Sequence, residues 1–259
     1  MPPESRISEE ILSCALPTEE NLFAELSASA RWEDVGKGRR GAVLARVDEA
    51  GGVPLVRTTT RYSSPAQRFR EVHERLAQQV LERAGLSVGF NNALIESYTN
   101  AYTTMGSHSD QALDLADESF IAVFSCYRYP EASPPRKLIF ASKESEPGGE
   151  TFEIPLAHNS IVAFSVASNR RLRHKIVLDA SAVRTADNQW LGVTFRTSKT
   201  FVRFRDGHVY LPQGARLVSA DDEQKQEFYR LRRRENNETD FIYPLLTYTV
   251  SESDLLLPV

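Results

Sequence analysis

A chain of 259 residues with 41% hydrophobic content is long enough for one large domain around a full core, and none of its apolar runs reaches the roughly 18 residues of a membrane span. The net charge of −4 and a pI near 5.8 exclude a general attraction to phosphate backbones and leave room only for a local basic groove. Two cysteines, Cys14 and Cys126, exclude a disulfide framework and a four-ligand zinc site built on cysteine pairs, so the expectation is an intracellular protein, cytoplasmic or nuclear. The opening Met1-Pro2-Pro3-Glu4-Ser5-Arg6 lacks the apolar run of a signal peptide.

In chain order, Thr18 before Glu19-Glu20 and the apolar Leu22, Phe23 and Leu26 predicts a short helix with a hydroxyl cap and acids in its first turn. The stretch from Trp32 to Arg61 reads as strands and turns around Gly51-Gly52. A second helix is expected from Ser64-Pro65-Ala66-Gln67, with serine as cap and Gln67 reaching back to it. Its apolar stripe is Phe69, Val72, Leu76 and Val80, and Gly85 ends it. Seven runs then read as strands, beginning at Ala93, Phe120, Lys137, Phe152, Ser160, His174 and Leu191. They are short, rich in β-branched and aromatic residues, and separated by Pro, Gly, Asn and Asp. Seven strands in so short a span suggest a β-sandwich or jelly roll. A hairpin around Asp206-Gly207 and an amphipathic helix over Ser219 to Arg234, with Phe228, Tyr229 and Leu231 on its apolar side, follow. The expectation is one domain over 1–259, with a core at about 91–205, an N-terminal region 1–90 and a C-terminal extension 206–259.

The segment His108-Ser109-Asp110 carries the chemistry. On extended backbone, residues i and i+2 point to the same side, so His108 and Asp110 can face one ion. His174 opens a later strand, and distant strands of a jelly roll can lie side by side. Two imidazoles and one carboxylate are the protein ligands of non-haem Fe(II) oxygenases, with open positions left on the metal. Further on, Thr194 and Arg196 share a strand face by alternation. A guanidinium there needs a partner, because burying it alone is costly. The distal carboxylate of a dicarboxylic cosubstrate would supply one. Lys199 and Arg184 are the competing cations.

The stretches Leu94 to Tyr98, His108 to Asp110, Ser119 to Val123, Leu156 to Val162, Arg173-His174 and Val193 to Arg196 together resemble the AlkB-like Fe(II)/2-oxoglutarate dioxygenases. The match runs in order over about residues 93–204, and Arg40 and Arg61-Tyr62 upstream resemble that family's substrate-recognition region. The resemblance implies an α+β fold: a double-stranded β-helix (jelly roll) core with helices packed on one face and N- and C-terminal helical extensions. It implies that His108, Asp110 and His174 hold Fe(II), that Tyr98 and Arg196 contact 2-oxoglutarate, and that O2 is consumed. Three positions depart from the pattern. Glu96 stands where the family commonly has Asn, one extra residue separates Tyr98 from His108, and Trp190 replaces the first arginine of the last core strand.

The implied reaction is hydroxylation of a C–H bond; on an N-methyl carbon it gives an unstable hemiaminal and hence demethylation. The resemblance favours a methylated nucleobase, whereas the acidic pI and the altered arginine strand favour a small metabolite. A cupin-like metal enzyme without O2 chemistry is the rival. Other polar residues have plainer readings. His73 is expected on a helix surface, His158 in a turn and His208 exposed beside a hairpin. Arg230, Arg232, Arg233 and Arg234 read as a solvated helix face. Arg170, Arg171 and Arg173 could rim the site, forming an anionic-substrate patch with Lys199, Arg203 and Arg205. Tyr62 could stack on a planar substrate or simply pack.

Overall fold

All seven strands expected between residues 93 and 196 form, and they build two facing sheets. The computed structural model describes residues 7–18, 20–132, 134–144, 149–179 and 188–259. The N-terminal part carries β1 (Ile11–Ala15), α1 (Leu22–Ser29), β2 (Glu33–Gly36), β3 (Arg39–Ala45), β4 (Val53–Leu55), β5 (Gln67–Arg68) and α2 (Glu71–Arg83). The core follows with β6 (Asn92–Tyr98), β7 (Phe120–Tyr127), β8 (Arg136–Ser142), β9 (Thr151–Leu156) and β10 (Ser160–Ser165). It continues through α3 (Val166–Arg171), β11 (Leu172–Val177) and β12 (Trp190–Arg196). The last part holds β13 (Thr200–Arg205), β14 (His208–Tyr210), β15 (Arg216–Ser219), α4 (Asp222–Asn237) and β16 (Tyr248–Thr249).

The major sheet runs β1-β10-β7-β12-β6-β3-β2, with β5 added on β3, and the smaller facing sheet runs β11-β8-β9. Alternation along the major strands divides their side chains between two cores. Ala93, Ile95, Phe124, Val193 and Phe195 point outward under α1 and α2, against Leu26, Leu76 and Val80. Tyr98, Ile121, Val123 and Trp190 point inward, toward Leu138, Phe140 and Ile176 of the smaller sheet. The fold is an α+β jelly roll with α1 and α2 on one face. No helix among the described residues is long and apolar enough to cross a membrane.

The helix starts differ from expectation for local reasons. Asn21, not Thr18, caps α1, its side chain accepting from the Phe23 amide. The helix expected at Ser64 begins only at Glu71. Before it, Gln67 and Arg68 pair in parallel with Leu44 and Ala45 of β3, and the Gln67 amide binds both polar groups of the Arg31 backbone. His73 is therefore not a surface residue. It is buried, Nδ1 accepts from the Arg70 amide, and Nε2 donates to Ser29 Oγ, whose own proton goes to the Leu26 carbonyl. An imidazole thus closes the first turn where a Glu or Gln usually does, and burial pushes its pKa down to about 4. Gly85 ends α2 as expected, at φ +61°, with the Leu86 amide returning to the Leu81 carbonyl.

The C-terminal part is less helical than expected. β13 and β14 form the hairpin around Asp206-Gly207, both residues at positive φ as a tight two-residue turn needs. With β4, β15 and β16 they make a third sheet. α4 starts at Asp221-Asp222, capped reciprocally by Asp221 and Gln224. Its arginines are not all solvated, since Arg232 is 8% exposed.

One buried ion pair ties these parts together. Arg57 is 4% exposed and Asp114 1%. Arg57 Nε and Nη2 donate to the two Asp114 oxygens at 3.0 and 2.8 Å, and Nη1 donates to the Leu246 carbonyl at 2.8 Å. Arg57→Ala should destabilise the protein by about 3–5 kcal/mol, because Asp114 is left charged and dry. Arg57→Met with Asp114→Leu should recover most of that loss. Urea unfolding of both variants beside wild type checks both statements; equal losses in the single and double variants would refute them.

Candidate metal centre

β11 has a free edge, and the segment after β6 comes back to it. His108 and His174 form an isolated antiparallel bridge there, with the His108 amide donating to the His174 carbonyl at 2.9 Å and the reverse bond at 2.6 Å. Residues that exchange both bonds lie directly opposite, with side chains on the same face. Their rings stand 4.6 Å apart between centroids. Asp110, two residues on, turns its carboxylate to the same side. One ligand atom from each of His108, Asp110 and His174 lies within 4.8 Å of the others.

The orientation of each group suits a cation. Asp110 Oδ1 sits 3.7 Å from His108 Nε2 and 3.7 Å from His174 Nε2. Its other oxygen, Oδ2, accepts from Arg196 Nε at 2.7 Å and Nη2 at 2.6 Å. Arg196 thus leaves one carboxylate oxygen for an ion. Burial alone would favour the neutral acid, but the Arg196 guanidinium holds Asp110 well below the usual carboxylate range. His108 Nδ1 donates to the Gly106 carbonyl at 2.8 Å, which leaves Nε2 with its lone pair free. Burial, reinforced by His108, pushes the His174 pKa down to about 3, so its imidazole is neutral. One carboxylate oxygen and two imidazole nitrogens is the donor set a divalent transition metal needs.

Several partners hold the ligand segment from outside. Asn169 of α3 accepts from the Asp110 amide at 2.8 Å and donates to its carbonyl at 2.7 Å. Asn236 of α4 accepts from the Ser109 amide, Arg232 donates to the Ser109 carbonyl, and Glu235 accepts from the Ala112 amide. None of these was visible in the sequence, because each acts on backbone across more than 50 residues of chain and no motif spacing marks it.

The ligands open on a cavity of about 90 Å³. Its walls include Ile121, Val123, Leu138 and Ile176, and its polar lining includes Thr58, Thr59, Thr60, Glu96 and Thr194. Arg196 lines it, but toward Asp110. Tyr98 does not line it: this residue is fully buried, packed between the tilted rings of Tyr102 and Trp190, and its hydroxyl donates to Glu96 at 2.8 Å. Arg170 and Arg171 pair with Asp117 and Glu10, and neither they nor Arg173 line the cavity. Lys199 faces Asp117, and Arg203 and Arg205 line a separate surface cleft, so the expected basic patch does not assemble at the site. Arg184 lies outside the described residues. His158 sits in its turn and accepts from the Tyr127 amide, and Tyr62 is packed rather than displayed.

Among solved structures the chain is similar to OsALKBH1, at a TM-score of 0.51 over 73% of this chain and 96% of that one, with 11% identity. The fold is AlkB-like. No protein-family model and no curated protein matches the sequence, so the likeness lies in the backbone and not in overall residue identity. Within this AlkB-like fold, His108→Ala, Asp110→Ala and His174→Ala should each abolish stoichiometric Fe(II) binding, and Arg196→Gln should weaken it by about 10- to 100-fold, the usual effect of losing a ligand's hydrogen-bond partner. Anaerobic chelator competition measures this. Unchanged affinity in any of the three ligand variants would overturn the assignment.

Proposed function

We propose that this protein is an Fe(II)- and 2-oxoglutarate-dependent dioxygenase that hydroxylates a C–H bond of its substrate. The observation that carries the reading is the single free oxygen of Asp110 facing two imidazole nitrogens at the wall of a cavity. Fe(II) bound there supplies activation of O2 coupled to oxidation of 2-oxoglutarate to succinate and CO2, with the second oxygen atom entering the C–H bond. His108, Asp110 and His174 hold the ion, and Arg196 keeps Asp110 ionised and one-handed.

Charge supports a dianionic cosubstrate. Three arginines line the cavity, Arg39, Arg196 and Arg232, and each is paired with a carboxylate, Glu96, Asp110 and Glu235 respectively. The protein side is thus neutral in sum. A divalent cation at this largely buried site then needs two negative charges beside it, which 2-oxoglutarate carries.

For the substrate, the AlkB-like fold supports an N-methyl group of a nucleobase, whose hydroxylation ends in loss of formaldehyde. The net charge of −4 and the failure of the basic patch to assemble favour a small metabolite as the second reading. Anaerobic addition of Fe(II) and then 2-oxoglutarate should produce a visible metal-to-ligand charge-transfer band, absent in Asp110→Ala. Succinate release should rise with the true substrate, methylated oligonucleotides being compared with small organic acids. Iron bound at full stoichiometry with neither a band nor any decarboxylation would instead support a cupin-like enzyme.

A further inference from the structure

We propose that Arg39 of β3, with the hydroxyl of Thr60 beside it, is the anchor for the second carboxylate of the cosubstrate. The inference rests on the dioxygenase reading above and names where this chain holds the far end of a 2-oxo diacid.

The three cavity arginines differ in what they have left to give. Arg196 directs both Nε and Nη2 at Asp110, so moving it would release the metal ligand. Arg232 directs Nη1 at Glu235 and Nη2 at the Ser109 carbonyl, where it holds the ligand segment. Arg39 directs Nε and Nη2 at a single oxygen of Glu96, and Nη2 also lies 3.3 Å from Thr60 Oγ1. Its Nη1 makes no hydrogen bond among the described residues, and the side chain keeps 18% of its surface open. The other Glu96 oxygen is already engaged by the Tyr98 hydroxyl. A guanidinium with one free edge and a threonine hydroxyl alongside is a carboxylate receptor.

The sheet register shows why the cation comes from β3. Tyr98 of β6 is paired with Trp190 of β12 on one side and with Arg39 of β3 on the other, so the three occupy one row across the sheet. The indole of Trp190 folds back over Gly192, where a Cβ would come within 2.1 Å of the ring. That ring fills the depth of the barrel at β12 and leaves no cation on this strand below Arg196. Arg39 supplies one two strands over, in the same row. Leu94 and Thr194, paired with each other and both lining the cavity, lie between the Arg196 row and the Glu96 row. The metal ligands and Arg39 are thus separated along the cavity, as the two ends of an extended diacid require. Glu96, in place of an amide, keeps Arg39 neutralised until the ligand arrives.

The test compares two ligands that differ only in the far carboxylate, 2-oxoglutarate and 2-oxopentanoate, binding anaerobically to the Fe(II)-loaded protein, with dissociation constants read from the charge-transfer band. Wild type should prefer 2-oxoglutarate by about 10- to 100-fold, the range of one charge-assisted pair. In Arg39→Gln that preference should collapse while 2-oxopentanoate affinity and Fe(II) affinity stay within about twofold. Arg39→Lys should retain part of it. Because Arg39→Gln leaves Glu96 unpaired, Arg39→Gln with Glu96→Gln is the companion variant, and it should also show no preference. A preference that survives in both Arg39→Gln variants overturns the proposal, as does one that disappears only in Arg196→Gln with iron still bound. If wild type itself binds neither 2-oxo acid, the dioxygenase reading fails and takes the proposal with it.

Discussion

Two backbone hydrogen bonds between His108 and His174 hold the structure's chemistry together. They join residues far apart in the chain and place both imidazoles on one side of the β11 edge. Once that pair is set, the period of two in extended backbone carries Asp110 to the same side without further adjustment. The bridge is isolated, not part of a long ladder, so the neighbours that grip Ser109, Asp110 and Ala112 are what keep it from fraying. Asn169 and helix α4 do this by hydrogen-bonding backbone rather than the three candidate ligand side chains, which leaves those side chains free to face one another.

The charge pattern of the cavity follows from the same constraint. A buried carboxylate facing two imidazoles needs a cation behind it, and Arg196 fills that role from the opposite sheet. Arg232 with Glu235 and Arg39 with Glu96 repeat the arrangement on two other sides. Breaking any one of these pairs would strand a charge away from water, whereas each intact pair adds specificity more than stability. The cavity is therefore locally ionic and neutral in sum, which favours entry of a cation together with an anion over either alone.

The third sheet and the chain after α4 reach the site through Arg57 and Asp114. Arg57 precedes the three threonines of the cavity wall, Asp114 follows the ligand segment and accepts from Arg57, and Arg57 also donates to the Leu246 and Tyr248 carbonyls. The wall that carries Thr58 to Thr60 is thereby set by the C-terminal part of the chain, which a view limited to the jelly roll would treat as an appendage.

The amino-acid sequence by itself determined the seven core strands, the jelly-roll class and the three candidate ligands, because each depends on short-range pattern: alternation within a strand, a His-x-Asp step, a histidine at a strand start. It also placed the Asp206-Gly207 hairpin and the Gly85 stop, where backbone conformation demands particular residues. It misplaced the start of α2 and put His73 on the surface, because the pairing of Gln67 with β3 and the contact of His73 with Ser29 involve partners more than 20 residues away. The sequence assigned Arg196 to the cosubstrate and missed its use for the same reason. Alternation showed that it faces inward, but only the packing of the two sheets brought Asp110 within 2.6 Å and gave its guanidinium a carboxylate of the protein's own. Arg39, Asn169 and Glu235 carried no local signal at all, since a lone charged or amide side chain acquires meaning only from the groups that tertiary structure sets opposite it.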